Sequence, residues 1–234
     1  MYQSEIIIQE LASLATDEKR QVLPRFFKTG KGEYGEGDKF LGVVVPSTRI
    51  VAKRYKDAPL DELSSLLLSE WHEARLCVLL IMVEQWKKAD AHERKTLFDF
   101  YMSHTNRINN WDLVDISAPT IVGGYLLDKP RDILYQLAES NCLWDNRIAI
   151  VSTFAFIKQK DSDDTYRLAL KMMNHKHDLM HKAIGWMLRE SGKRDDARRL
   201  FAFVDEHRNV MPRTMLRYAI EKFSDSERMY LMRK

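Results

Sequence analysis

The chain has 234 residues, 45% of them apolar, enough to bury one substantial core and close to the upper limit of a single domain. Its 37 Lys and Arg stand against 34 Asp and Glu, a net charge of only +3, so any nucleic-acid role must rest on where the basic groups cluster and not on bulk charge. The two cysteines, Cys77 and Cys142, lie far apart and form no CxxC pair, which excludes a zinc ribbon or disulfide framework and fits a reducing cytoplasm; both are expected to be small buried hydrophobes.

From the N-terminus onward, Glu5 precedes Ile6, Ile7 and Ile8, and no apolar run approaches the roughly 20 residues that span a bilayer. A soluble, unprocessed protein is expected. Apolar residues recur at helical spacing between short polar or Pro/Gly joints, and strand signals are nearly absent. The pattern predicts helices over 4–14, 17–27, 46–54, 59–68, 71–88, 91–103, 110–127, 131–140, 144–158, 161–173, 177–190, 194–206, 212–221 and 224–231. Start signals accompany several of them: Thr16 ahead of Asp17-Glu18, Asp61 and Glu62 after Pro59, and Asp161 ahead of Ser162-Asp163-Asp164, each placing caps or negative charge at a positive helix end. Many paired helices with tight turns suggest an α-solenoid forming one elongated domain over 1–234, in which each pair buries its apolar face against its neighbours. A compact helical bundle is the alternative architecture.

Between the second and third helices, KTGKGEYGEGD (28–38) spaces Gly30, Gly32 and Gly35 as GxGxxG. A dinucleotide loop must follow a strand and open a helix, whereas here the strand-like run FLGVVV (40–45) comes afterwards, and Glu33, Glu36 and Asp38 would repel a pyrophosphate. A flexible connecting loop is expected instead.

In NNWDLVD, Trp111 and Asp115 are four residues apart, so a helix stacks them on one side, with Leu113 and Ile116 turned roughly 120–200° away toward the core at about 100° per residue. The structural alternative is that Trp111 covers a neighbouring helix and Asp115 caps the chain before Pro119. Trp186 repeats the oddity: Met180, Ala183, Ile184, Met187 and Leu188 form one apolar arc, while Trp186 shares its face with Lys182, Arg189 and Lys193, a surface suited to a phosphate backbone and a sugar or base. Arg147 opens the helix predicted over 144–158 and shares a face with Lys158, so both can hold phosphates, unless the face is merely solvated. His177 and His181 have the i, i+4 spacing of metal ligands, but there is no evident third ligand and no HExxH, so no metal site is expected. Nucleophile motifs such as GxSxG are missing.

Taken in order, Tyr34-Gly35-Glu36-Gly37-Asp38 with Val45-Pro46, Asn110-Trp111-Asp112-Leu113-Val114-Asp115, Arg147, Ala183-Ile184-Gly185-Trp186 and Arg213-Thr214-Met215-Leu216-Arg217-Tyr218 closely resemble the AlkD-like DNA alkylation repair family over nearly the whole chain. The resemblance implies an all-α stack of HEAT-like repeats with a concave basic face that grips double-stranded DNA, and a cofactor-free glycosylase of base excision repair that releases N3- or N7-alkylated purines. By position, Asp115, Trp111 and Trp186 match the catalytic trio and Arg147 the DNA-contacting arginine, and these four are expected to converge; Lys158, Lys182, Arg189 and Lys193, from the helix faces they share with Arg147 and Trp186, are expected as further DNA contacts. The family's N-terminal aromatic stays open among Phe26, Phe27 and Tyr34. The implied protein is a monomer without an obligate protein partner or membrane, cytoplasmic and acting at the nucleoid, and its lesion stays stacked in the duplex. Two other functions remain as alternatives: a non-catalytic repeat protein that binds unusual DNA structures, and a protein-binding scaffold.

Overall fold

The computed structural model describes residues 3–233 and is all-helical, with no strand among them. Every predicted helix has an observed counterpart, and two of them are interrupted. The chain clusters into two compact units that divide between Ser117 and Ala118.

In the first unit, helices α1 (Gln3–Ser13), α3 (Val45–Arg54), α4 (Leu60–Leu67) and α6 (Ala91–Ser103) surround α5 (His72–Trp86). The segment Leu76–Met82 of α5 is apolar on every side and buried, as expected of a stretch with no polar face, and the burial continues back through His72, Glu73 and Arg75. Helix α2 (Asp17–Phe26) starts where Thr16 accepts the Lys19 N–H, as its sequence indicates. Helix α6 opens on a reciprocal capping box between Asp90 and Glu93. Helix α7 (Trp111–Ala118) closes the unit.

The segment between α2 and α3 is a connecting loop, as expected, and not a dinucleotide site. In residues 28–38 successive turns are hydrogen-bonded, and two of the carboxylates expected to repel phosphate fasten the backbone. Glu33 accepts the Gly30 N–H and Glu36 the Gly32 N–H. The strand-like run 40–45 pairs with no strand: its neighbour Lys39 makes an isolated bridge to Trp71, and the N–H groups of Leu41, Gly42 and Val43 all donate to the buried Glu73 carboxylate at 2.9, 2.9 and 3.0 Å. Gly42 has φ +98°, and a Cβ there would stand 2.7 Å from the Thr16 carbonyl oxygen, so this turn requires glycine.

In the second unit, the helix predicted through 127 is interrupted by a π-type turn over Pro119–Gly123, since proline lacks an N–H and clashes with the preceding turn. Then come α8 (Asp132–Glu139), α9 (Leu143–Ser152), the single turn α10 (Phe154–Ile157), α11 (Asp163–Lys171), α12 (Asp178–Arg194), α13 (Ala197–His207), α14 (Arg213–Ala219) and α15 (Asp225–Met232). The helix predicted over 144–158 breaks at Thr153, where the Ser152 and Thr153 hydroxyls donate back to the Ile148 and Ile150 carbonyls at 2.6 and 2.7 Å. Helix α12 is the centre of this unit and packs on α9, α10, α11, α13 and α14. Its Gly185 lets α14 approach: a Cβ there would lie 2.5 Å from the Met215 carbonyl oxygen and 2.6 Å from the Tyr218 Cβ.

Candidate functional site

Helix α7 presents Trp111 and Asp115 to one side and buries Leu113 completely on the other, as the periodicity requires; Val114, which is only about 60° round the helix from Trp111, is completely buried as well. Ile116 departs from the expectation, because it is half-buried and shares the open side with Asp115. That side faces a cleft of about 640 Å³ whose wall is almost entirely apolar: Val22, Leu23, Phe26 and Phe27 from α2 and the following residue, Phe40, Val43 and Val44 from the segment held by Glu73, Val45 and Pro46 from the start of α3, and Leu76 from α5. Lys19, Asp112 and Asp115 supply charge along it.

The aromatic lining is ordered. Trp111 stacks on Phe27 with ring centroids 5.3 Å apart, and the exposed Phe26 meets Trp111 edge-on at 5.9 Å. Phe27 in turn stacks on Phe40 at 4.9 Å. Below these rings lies His72, 4.6 Å from Phe40 and 4.8 Å from Phe27. Its Nδ1–H donates to Asp38 at 2.8 Å and its Nε2–H to Asp112 at 2.9 Å, while the buried Arg75 guanidinium pairs with the other Asp38 oxygen. Burial alone would push the His72 pKa down, but the charge and hydrogen bonds of Asp112 and then Asp38 raise it to about 9, making it an imidazolium at neutral pH. For Asp38, burial works against the charged form, yet the His72 hydrogen bond and the Arg75 charge hold its carboxyl below the usual range. Asn110, fully buried just before α7, accepts the Trp111 N–H and donates to Asp38 at 3.4 Å.

Sequence reasoning missed this group. A signal was present: His72, Glu73 and Arg75 are the only charged residues in the first two turns of a helix that otherwise reads as core, and buried charges require partners.

In the second unit, Trp186 is half-buried on α12 with its ring 6.1 Å from Phe154. Lys158 and Arg194 both lie over the Phe154 ring, at 4.7 and 5.1 Å. Lys182 pairs with Asp178 at 2.9 Å, Arg189 pairs with Glu221 and Glu190, and Lys193 is exposed. Arg147 is not on a solvated face. It is 5% exposed, and its guanidinium donates to the Leu179 carbonyl at 2.8 Å. The break at Thr153 also removes the unbroken helix on which its shared face with Lys158 depended.

His177 caps α12 by accepting the Leu179 N–H on Nδ1, and His181 donates from Nε2 to the His175 carbonyl at 2.5 Å. Among the described residues no group of three or more metal-ligating side chains is assembled, and no helix is long and apolar enough to cross a membrane. Cys77 is fully buried with its thiol pushed up to about 12 by burial, whereas Cys142 is half-buried, more exposed than expected.

These features define a class first: an all-helical protein with an aromatic cleft, a tryptophan and a carboxylate one helical turn apart on its wall. The chain belongs to the DNA alkylation repair enzyme family, whose model matches residues 7–223. Its fold is similar to a solved structure described as a predicted DNA alkylation repair enzyme from Enterococcus faecalis, with a TM-score of 0.69 and 14% identity over 90% of this chain and 97% of that one. No curated protein matches.

Proposed function

We propose that this DNA alkylation repair protein is a glycosylase that hydrolyses the N-glycosidic bond of cationic N3- or N7-alkylated purines in duplex DNA, built as a HEAT-like solenoid with a basic concave face. The observation that carries the reading is that Trp111 and Asp115 line one apolar, aromatic cleft. An alkylated purine already carries positive charge, so it leaves without a general acid, and the barrier lies in the oxocarbenium-like sugar. The Asp115 carboxylate stabilises that developing cation and orients the attacking water, with stronger effect beside apolar walls than in bulk solvent. The Trp111 face packs on the deoxyribose, excludes water and adds cation–π stabilisation. Trp186 is assigned the same kind of contact, and Lys158, Lys182, Arg189 and Lys193 contact the phosphates. Arg147, a buried donor, supports the first turn of α12 through Leu179 and is assigned a DNA contact beside it.

The decisive experiment uses Asp115→Asn, which keeps size and removes charge. Release of a methylated purine from a defined duplex, under single turnover with saturating enzyme, is expected to fall on the order of 10²–10³-fold, with binding of undamaged duplex retained. Unchanged excision by the folded variant would remove Asp115 from the chemistry. A wild type that binds duplex but releases no base would leave a non-catalytic DNA binder.

A further inference from the structure

We propose that His72 is a positioning residue for the cleft: a cationic strut between Asp38 and Asp112 that sets the start of α7, the helix whose first turn carries Trp111 and whose second carries Asp115. The proposal rests on the glycosylase reading for its kinetic consequence, while its structural content stands on the geometry. His72 is 1% exposed, and both ring nitrogens point at carboxylates from segments that are remote in sequence. One carboxylate belongs to the segment before α3 and the other to α7, beside Trp111. Phe27 is the intermediary above it, in contact with the His72 ring on one side and Trp111 on the other.

A neutral imidazole has one N–H and would turn a lone pair toward the second carboxylate. The charged form alone satisfies both, so the strut exists only while His72 is an imidazolium. The surrounding charge supports this state: Asp38 and Asp112 face it directly, Arg75 balances Asp38, the neighbouring Glu73 carboxylate is occupied by three backbone N–H groups, and Arg107 lies within electrostatic reach of Asp38. Removing one member leaves a buried charge unpaired, whereas removing a pair does not.

The test has a spectroscopic arm and a kinetic arm. Nitrogen-15 chemical shifts of His72 at pH 7.5 are expected to show both ring nitrogens protonated; a neutral tautomer overturns the proposal. Because the pKa is raised from the ordinary 6.5 to about 9, the stability His72 contributes is fully present below pH 6.5 and lost as pH rises through 9. The wild-type Tm is therefore expected to fall across that window and the Tm of His72→Gln to stay flatter. In single-turnover excision from a duplex carrying one N7-methylguanine, His72→Gln is expected to be about 10–100-fold slower with unchanged affinity for undamaged duplex, the signature of misplacement rather than lost binding. The charge-balanced double variant His72→Gln/Asp112→Asn avoids an unpaired carboxylate and is expected to remain equally slow. Full rate in either folded variant overturns the proposal. Should neither fold, the nitrogen shifts decide alone. A wild type that excises nothing would sink the glycosylase reading, and the nitrogen shifts and the Tm profile would then decide whether His72 is the cationic strut.

Discussion

At the scale of single residues, two adjacent phenylalanines divide the work of the cleft. Phe27 is 6% exposed and holds Trp111, Phe40 and His72 together, whereas Phe26 is 58% exposed and touches Trp111 by its edge. Phe27→Ala is expected to cost about 3–5 kcal/mol in urea unfolding, the range for deleting a packed aromatic. Phe26→Ala is expected to change stability by less than ~0.5 kcal/mol yet slow excision, an outcome that would select it as the lesion-facing aromatic from the three that the sequence left open, Phe26, Phe27 and Tyr34. Equal destabilisation by the two would contradict this division. The Trp111–Asp115 pair was legible in the sequence because four-residue spacing on a regular helix is a local property. The His72 group was not, since its carboxylates lie 34 and 40 residues away and periodicity holds no information at that range. Arg147 shows the same limit: its charge suggested an exposed phosphate contact, but the acceptor that draws it inward, the Leu179 carbonyl, sits 32 residues on.

At the scale of elements, helix positions followed from periodicity and caps, and the errors fell where side chains interrupt a helix from within. Pro119 and the Ser152-Thr153 pair split helices that look continuous as hydrophobic patterns. The motifs Ala183-Ile184-Gly185-Trp186 and Arg213 to Tyr218 are separate in sequence but form one packing contact, because Gly185 sits against the backbone of α14. Gly185→Ala would place a methyl group 2.5 Å from the Met215 carbonyl oxygen, and that backbone cannot yield as a flexible side chain can. About 2–3 kcal/mol of overpacking strain, offset by about 1 kcal/mol from the better helix propensity of alanine, leaves an expected net cost of about 1–2 kcal/mol and a Tm lowered by roughly 2–8 °C in calorimetry. A Tm unchanged or raised would mean that α14 moves aside without cost.

At the scale of the whole molecule, a net charge of +3 cannot by itself hold a polyanion, so affinity for DNA must come from locally concentrated cations. Lys158 and Lys193 are exposed, while Lys182 is already engaged with Asp178. Affinity for undamaged duplex is expected to fall steeply with salt, and the slope of log K against log salt to flatten by about 1 for each phosphate-contacting lysine replaced by alanine. Titrations of Lys158→Ala and Lys193→Ala by fluorescence anisotropy at several salt concentrations measure this. Unaltered slopes would assign the backbone contacts elsewhere on the surface.

Cys77 and Cys142 fall one in each unit, and their surroundings differ enough to make them separate clocks. A thiol reagent added to the native protein can reach the half-buried Cys142 through small local fluctuations. Cys77, at 0% exposure on the central helix of its unit, is labelled only when α5 is uncovered. Thiolate is the reactive form, and burial that lifts the Cys77 thiol to about 12 suppresses it further. At reagent concentrations where opening is at equilibrium, the ratio of the Cys77 labelling rate to that of an unfolded cysteine gives the free energy of opening around α5 without denaturant. A biphasic modification time course is expected, its slow phase lost in Cys77→Ser and its fast phase in Cys142→Ser, so that the stability of one half of the chain can be followed in the intact protein.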